Sequence, residues 1–393
     1  MTVHTCSNLK AVREKLLGYK HEETVARLAR ISVERLRAIE QGASPSVYEI
    51  EELARVYGID AEILADEPIK LSKGDGIAVL TSRDEFRDLS DIVRARIVAA
   101  ANAARDLGTL RRLLGGRDPR NDFRAERPSL KPPKAGVKPH AQGTQLAAEL
   151  RANLGLGTKP ISSIRDLVLE TFPTIALLYA DLTDEGPAGI SFVDALRGPA
   201  IVLNLVGKNQ NAPVRRFSLA HELCHMLIDW TTEPLAVISG YLTDFGLPVE
   251  QRANSFAVRL ICPQSRFDRI APKLPALPAL EELGKYGLSY AAARLATRYT
   301  TGKDLDPTPP LGWSALNDSR WADAEAPIGI GTFPLASVPP ERRTLVALAA
   351  AQAYSRNLIG RDRFAELIGT TPGADLETVV DFFGLDLPNR DAA

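Results

Sequence analysis

The chain has 393 residues, 45% of them hydrophobic and 25% charged, which is the usage of an ordinary folded protein and excludes a disordered or fibrous one. That length exceeds what one core usually organises, so two or three folded units are expected. A formal net charge of −1 excludes a molecule drawn as a whole onto nucleic acid or acidic lipid, and any such binding must be local.

From the N-terminus, MTVHTCSNLKAVREKL lacks the apolar region of a signal peptide, and no run of eighteen apolar residues follows, so a cytosolic chain with no membrane partner is expected. Residues 1–67 read as a five-helix unit, with helices at 9–17, 22–29, 32–41 and 47–57 and a last turn around Ile63, punctuated by Gly42, Pro45 and Gly58. Ser32 suits the N-cap of the third helix, whose Leu36 and Ile39 share an inner face with Val25 and Ala29. Residues 68–115 connect, chiefly as one alanine-rich helix over 82–114. Residues 116–143 carry five prolines and seven Lys/Arg against three Asp/Glu, a composition that predicts a linker.

A second unit, 144–300, begins with helices to 154 and over 162–170. It continues through β-like runs at 174–179, 189–193 and 200–205 and turns helical from 214. Residues 301–340 form a Pro/Gly-rich connector with Trp313 and Trp321 as packing anchors, and 341–393 a C-terminal helical module. The fold class is therefore α+β, mainly helical. Cys6, Cys224 and Cys262 are odd in number and lack CxxC spacing, which predicts reduced thiols.

His221-Glu222-Leu223-Cys224-His225 is an HExxH sequence. On a helix this puts two imidazoles one turn apart on one face with the glutamate beside them, so both can reach one metal ion. Satisfied core polar residues are the plain alternative, but the chain has only five histidines and two of them stand four apart around a glutamate. A catalytic zinc takes three protein ligands and leaves a position open. The metzincin extension needs a glycine at 228 and a histidine at 231, where Ile228 and Thr231 stand, so the third ligand lies elsewhere. Downstream, Ala253, Phe256, Ala257, Leu260 and Ile261 mark a helix with one apolar face, which Pro263 ends and from which Arg252 and Arg259 point away. Glu250 shares that face. By spacing it serves equally as a metal ligand or as an acid favoured by the helix dipole.

These residues resemble the ImmA/IrrE metallo-endopeptidases of bacteria and their mobile elements. The likeness runs through Pro199-Ala200-Ile201-Val202-Leu203-Asn204, Arg215 to His225, and Glu250 to Pro263 with its Ala253-Asn254-x-Phe256-Ala257 core, covering roughly 144–265. Cys224 and Ile261-Cys262-Pro263 depart from the usual pattern. The resemblance implies a zincin-like domain with a small sheet, zinc (Zn2+) as cofactor on His221, His225 and Glu250, and Glu222 as the base that takes a proton from water and passes it to the leaving amine. It also implies a regulatory endopeptidase whose protein substrate is a transcriptional repressor. Neither Tyr241 nor Arg252 can be assigned as the oxyanion donor.

Residues 8–66 resemble the XRE/Cro-type helix-turn-helix, through Glu22 to Gly42 and Leu53-Ala54-x-x-Tyr57-Gly58-Ile59. The likeness makes 32–40 the reading helix, with Arg35 and Arg37 best placed for DNA. Residues 1–67 nevertheless hold nine Lys/Arg against twelve Asp/Glu, a net charge of −3, an awkward balance for a duplex that must be met with cations. Recognition of a repressor of the same fold, or homodimerisation, competes with DNA as the role of this unit. The alternative for the whole chain is an XRE-type DNA-binding regulator with a structural or sensory metal site.

Overall fold

The computed structural model describes residues 4–6, 8–66, 68–71, 86, 88–117, 119–131, 136–194, 198–230, 235–240, 247–311 and 319–388. Strand β1 (His4–Cys6) leads into α1 (Leu9–Ala11), which widens into a π turn over Val12–Leu16, and then α2 (Glu22–Leu28), α3 (Val33–Glu40), α4 (Val47–Tyr57) and α5 (Ala61–Ala65). Side chains set the helix starts. Ser32 Oγ accepts from the Arg35 N–H at the head of α3, and Ser46 with Glu49 forms a reciprocal capping box at the head of α4. Val25, Ala29, Leu36, Leu53 and Tyr57 close a small core of their own, across which Arg13 ties α1 to Glu40 of α3 in a buried ion pair of 2.6 Å. Strand β2 (Ile69–Leu71) pairs antiparallel with β1, a ribbon that no sequence signal announced.

The long helix α6 (Asp91–Leu113) is capped by Ser90 and starts later than the 82–114 expectation, whose positions 82–85 and 87 lie outside the described residues. It anchors the N-terminal unit. Asp91 accepts from the backbone N–H groups of Lys20 and His21, and Arg105 donates to the Gly58 carbonyl.

The 116–143 segment differs from the expected linker. It contains α7 (Pro119–Glu126), whose Phe123 is fully buried and stacks on Trp230 at 5.5 Å, and α8 (Pro139–Asn153) starts inside it. One aromatic anchor, with Arg127 donating to the Trp230 carbonyl, outweighs the polar composition around it.

Then come α9 (Ile164–Thr171), β3 (Ala176–Ala180), β4 (Gly189–Asp194), β5 (Gly198–Asn204), α10 (Ala212–Cys224) and a π turn over His225–Asp229. They are followed by β6 (Leu235–Ser239), α11 (Pro248–Ile261), α12 (Gln264–Ile270), α13 (Leu277–Gly284) and α14 (Tyr290–Thr301). The sheet order is β3-β5-β4-β6, with β3 and β5 parallel and the other pairs antiparallel. The edge strand β6 was not foreseen.

Alternation along the strands buries both faces. Leu177, Tyr179, Ile201, Leu203 and Val193 meet the core built by α8 to α14. Leu178, Ile190, Phe192 and Val202 meet a second core shared with α6 and with three C-terminal helices, α16 (Leu345–Ser355), α17 (Arg361–Ile368) and α18 (Leu376–Phe382). The C-terminal residues thus complete the sheet rather than standing apart. Before them, α15 (Ser319–Ala324) sets Trp321 under Arg216 at 4.3 Å, while Glu325 pairs with the same guanidinium and accepts the Ile164 and Arg165 N–H groups at the head of α9. Trp313 lies outside the described residues. No helix among the described residues is long and apolar enough to cross a membrane.

Candidate active site

Helix α10 is buried at every position but Val214, with Asn211 capping it and Pro213 in its first turn. Against it packs α11, which α8 crosses closely from outside. A Cβ at Gly143 of α8 would lie 2.1 Å from the Arg252 carbonyl oxygen, so only glycine permits this approach. The two helices bring His221, His225 and Glu250 together as a buried group whose ligand atoms all lie within 4.8 Å of one another. His221 Nε2 is 3.0 Å from His225 Nε2 and 3.1 Å from Glu250 Oε2, and His225 Nε2 is 3.4 Å from Glu250 Oε1.

The outward ring nitrogens are held as well. His221 Nδ1 lies 3.0 Å from Asn254 Oδ1, and His225 Nδ1 lies 2.7 Å from Asp229 Oδ2. With each Nδ1–H donating to its oxygen, both Nε2 lone pairs turn inward onto a carboxylate. Such an all-acceptor cluster is satisfied by a cation, so the donor set fits a divalent metal of the imidazole- and carboxylate-binding kind. Burial pushes the His225 pKa down, but hydrogen bonds to Asp229 and Glu250 outweigh it and raise the value to about 10. For Glu250 burial acts upward, and the two histidines outweigh it and hold the carboxyl well below its ordinary range.

Glu222 is fully buried beside this group. Strand β4 shapes its seat through two residues on its inner face. At Gly189 a Cβ would lie 2.8 Å from Glu222 Oε1, so only a missing side chain leaves the carboxylate room. Ser191 Oγ lies 2.7 Å from Glu222 Oε2 and donates to it, while Oε1 has no hydrogen-bond partner among the described residues. One oxygen is therefore fixed and the other bare, the arrangement of a group kept ready to accept a proton.

Arg252 and Arg259 do not point away as expected. Arg252 donates to Asp229 Oδ1 and so backs the support of His225, which removes it as an oxyanion donor. Arg259 is buried over Phe267 and donates to Thr300 Oγ1. Their helix is covered on its flanks as well as on its apolar face. Tyr241 lies outside the described residues. Cys224 is fully buried, and burial raises its thiol pKa well above the ordinary value, so it packs rather than reacts. Asn254, Asp229 and Ser191 were missed in the sequence. Asn254 and Asp229 had a signal, each standing four residues after a ligand, whereas Ser191 depends on strand register.

On the reading helix, Arg35 and Arg37 are both engaged within the domain. Arg35 chelates Glu49 at 2.6 and 2.7 Å and donates to the Ser44 carbonyl, and Arg37 is paired with Glu22. Neither guanidinium reaches outward without leaving a carboxylate behind.

Residues 174–299 match the family model described as the IrrE N-terminal-like domain, and residues 9–64 match that of a helix-turn-helix. The first match takes in β3 through most of α14 and the second takes in α1 to α5 apart from its last residue. Comparison with curated proteins and with solved structures gave no match.

Proposed function

From a chain that joins an XRE-type helix-turn-helix to an IrrE N-terminal-like peptidase-family domain, the ImmA/IrrE architecture, we propose a cytosolic, zinc-dependent regulatory endopeptidase that cleaves one specific protein, a transcriptional repressor, and so relieves repression. The convergence of His221, His225 and Glu250 carries this reading. Three ligands come together among the described residues, the number that a catalytic zinc takes from the protein.

When bound there, zinc supplies Lewis-acid chemistry, polarising a peptide carbonyl and acidifying water. The protein's own groups do the rest. Asn254 and Asp229 hold the two imidazoles, Ser191 aims Glu222, and the bare Oε1 takes the proton of the attacking water and delivers it to the leaving amine.

The helix-turn-helix supplies the regulatory setting. It reads DNA through Arg35 and Arg37 only if these leave Glu49 and Glu22, which favours recognition of a protein partner over an operator. Zinc content per chain tests the site. About one ion in wild type, lost in folded His225→Ala and Glu250→Ala, supports it, and a folded wild type that holds none when offered zinc ends it. Glu222→Gln should keep the ion and lose hydrolysis. A Glu222→Gln chain that still regulates fully would favour the DNA-binding alternative.

A further inference from the structure

A cavity of about 310 Å3 opens beside His221 and Glu222, at the small end of the range of about 300–1,000 Å3 for ligand sites. Val214 and Phe217 of α10 line it on one side and Ala291 and Leu295 of α14 on another. Its interior is therefore largely apolar. Two of its lining residues carry a buried polar atom without a hydrogen-bond partner among the described residues. One is Glu222 Oε1, the proton acceptor, and the other is Ser239 Oγ at the end of edge strand β6. The two residues are 0% and 1% exposed, so water does not serve them freely. A buried polar group in this state calls for an explanation, and a ligand's own donors and acceptors supply one here.

The rim is cationic. Lys208, Arg294 and Arg298 border the cavity with one acid besides Glu222, namely Asp304, and Lys208 and Arg298 are exposed. Arg294 is turned toward Asp304 at 3.4 Å and donates to the Leu305 carbonyl, so of the two cations on α14 Arg298 is the one placed to meet an incoming charge.

Resting on the peptidase reading, we propose that this cavity is the specificity pocket for the substrate residue next to the scissile bond. It takes an aliphatic or aromatic side chain, α14 acts as the selecting helix, and an acidic residue follows on the substrate to meet Arg298. Ser239 Oγ hydrogen-bonds the substrate backbone as it passes the end of β6. Helix α14 reaches further, since Leu295 also walls a second cavity lined by Asn254, His140 and Tyr299.

The test uses the zinc-loaded full chain and peptide hydroxamates, whose chelating group seats at the metal while the first side chain is Leu, Phe, Ala or Lys and the second Asp or Lys. Affinity is read by calorimetry. Leu and Phe probes should bind at least about tenfold tighter than Ala, since even one methylene in an apolar pocket is worth about 10–200-fold. Asp at the second position should bind several-fold tighter than Lys. Ala291→Phe, at an exposed position, should bring the Leu and Phe probes down to the affinity of the Ala probe. Arg298→Glu should reverse the Asp/Lys order. A preference for Leu and Phe that survives Ala291→Phe, or no preference in wild type, overturns the pocket while leaving the peptidase reading intact. A chain shown to hold zinc that binds none of the probes overturns both.

Discussion

Asp229→Asn isolates what lies behind the proposed metal ligands. Asp229 Oδ2 accepts from His225 Nδ1 at 2.7 Å while Oδ1 accepts from Arg252, so one carboxylate serves two cationic or potentially cationic donors. Asparagine keeps the shape and one carbonyl oxygen, but it puts an NH2 group where the second acceptor was. Either Nδ1–H or the guanidinium must then face a donor, and Arg252 loses its charged partner in a nearly buried place. Loss of such a supporting carboxylate weakens metal binding by about 10–100-fold, which corresponds to about 1.4–2.8 kcal/mol. Competition against a chromophoric chelator at fixed pH measures it, with circular dichroism confirming the fold. Zinc affinity within twofold of wild type in a folded Asp229→Asn chain would show that His225 is oriented by its helix alone, and the argument for a supported site would fall.

Three further outcomes are expected. Phe123→Ala removes a fully buried ring stacked on Trp230 and should cost about 3–5 kcal/mol in denaturant unfolding; a loss under about 1 kcal/mol would return this segment to the status of a linker. Gly189→Ala should retain zinc yet lose at least about tenfold in hydrolysis, because its Cβ displaces the Glu222 carboxylate, and an unimpaired variant would contradict the seat described for that base. Glu49 titrates at about 2, chiefly through its hydrogen bond from Arg35 and then through Ser46. Its folded value is depressed, so its contribution to the helix-turn-helix is present above the ordinary carboxylate range and lost as the pH falls toward 2. In Arg35→Ala, carboxyl NMR should find it shifted back up, and an unmoved titration would mean that the pairing is not formed in solution.

The candidate site was legible where local periodicity carries it. His221, Glu222 and His225 follow from one helix, and the buried face of α11 made Glu250 a candidate that the resemblance singled out. The same periodicity offered Asp229 and Asn254, but a third residue at four-residue spacing has no meaning until the partner helix is known. Ser191 and Gly189 needed the register of β4 against its neighbours, a long-range property. The linker expectation failed because composition averages over a segment, whereas a single ring such as Phe123 decides whether the segment docks. The outward reading of Arg252 and Arg259 failed for a related reason. An apolar stripe tells which face is buried first, not whether α8, α12 and α14 cover the flanks.

Strand β4 has a consequence beyond its place in the sheet. Its odd-numbered side is a tool rest for Glu222, through Gly189 and Ser191, while its even-numbered side, Ile190 and Phe192, is the underside on which α6 and the last three helices lie. Trimming the chain after residue 300 to obtain a minimal catalytic fragment would therefore strip the floor from beneath the base. Such a fragment should be sticky and inactive even with every catalytic side chain present, and whatever loosens the tail in the intact molecule acts one peptide plane away from the chemistry.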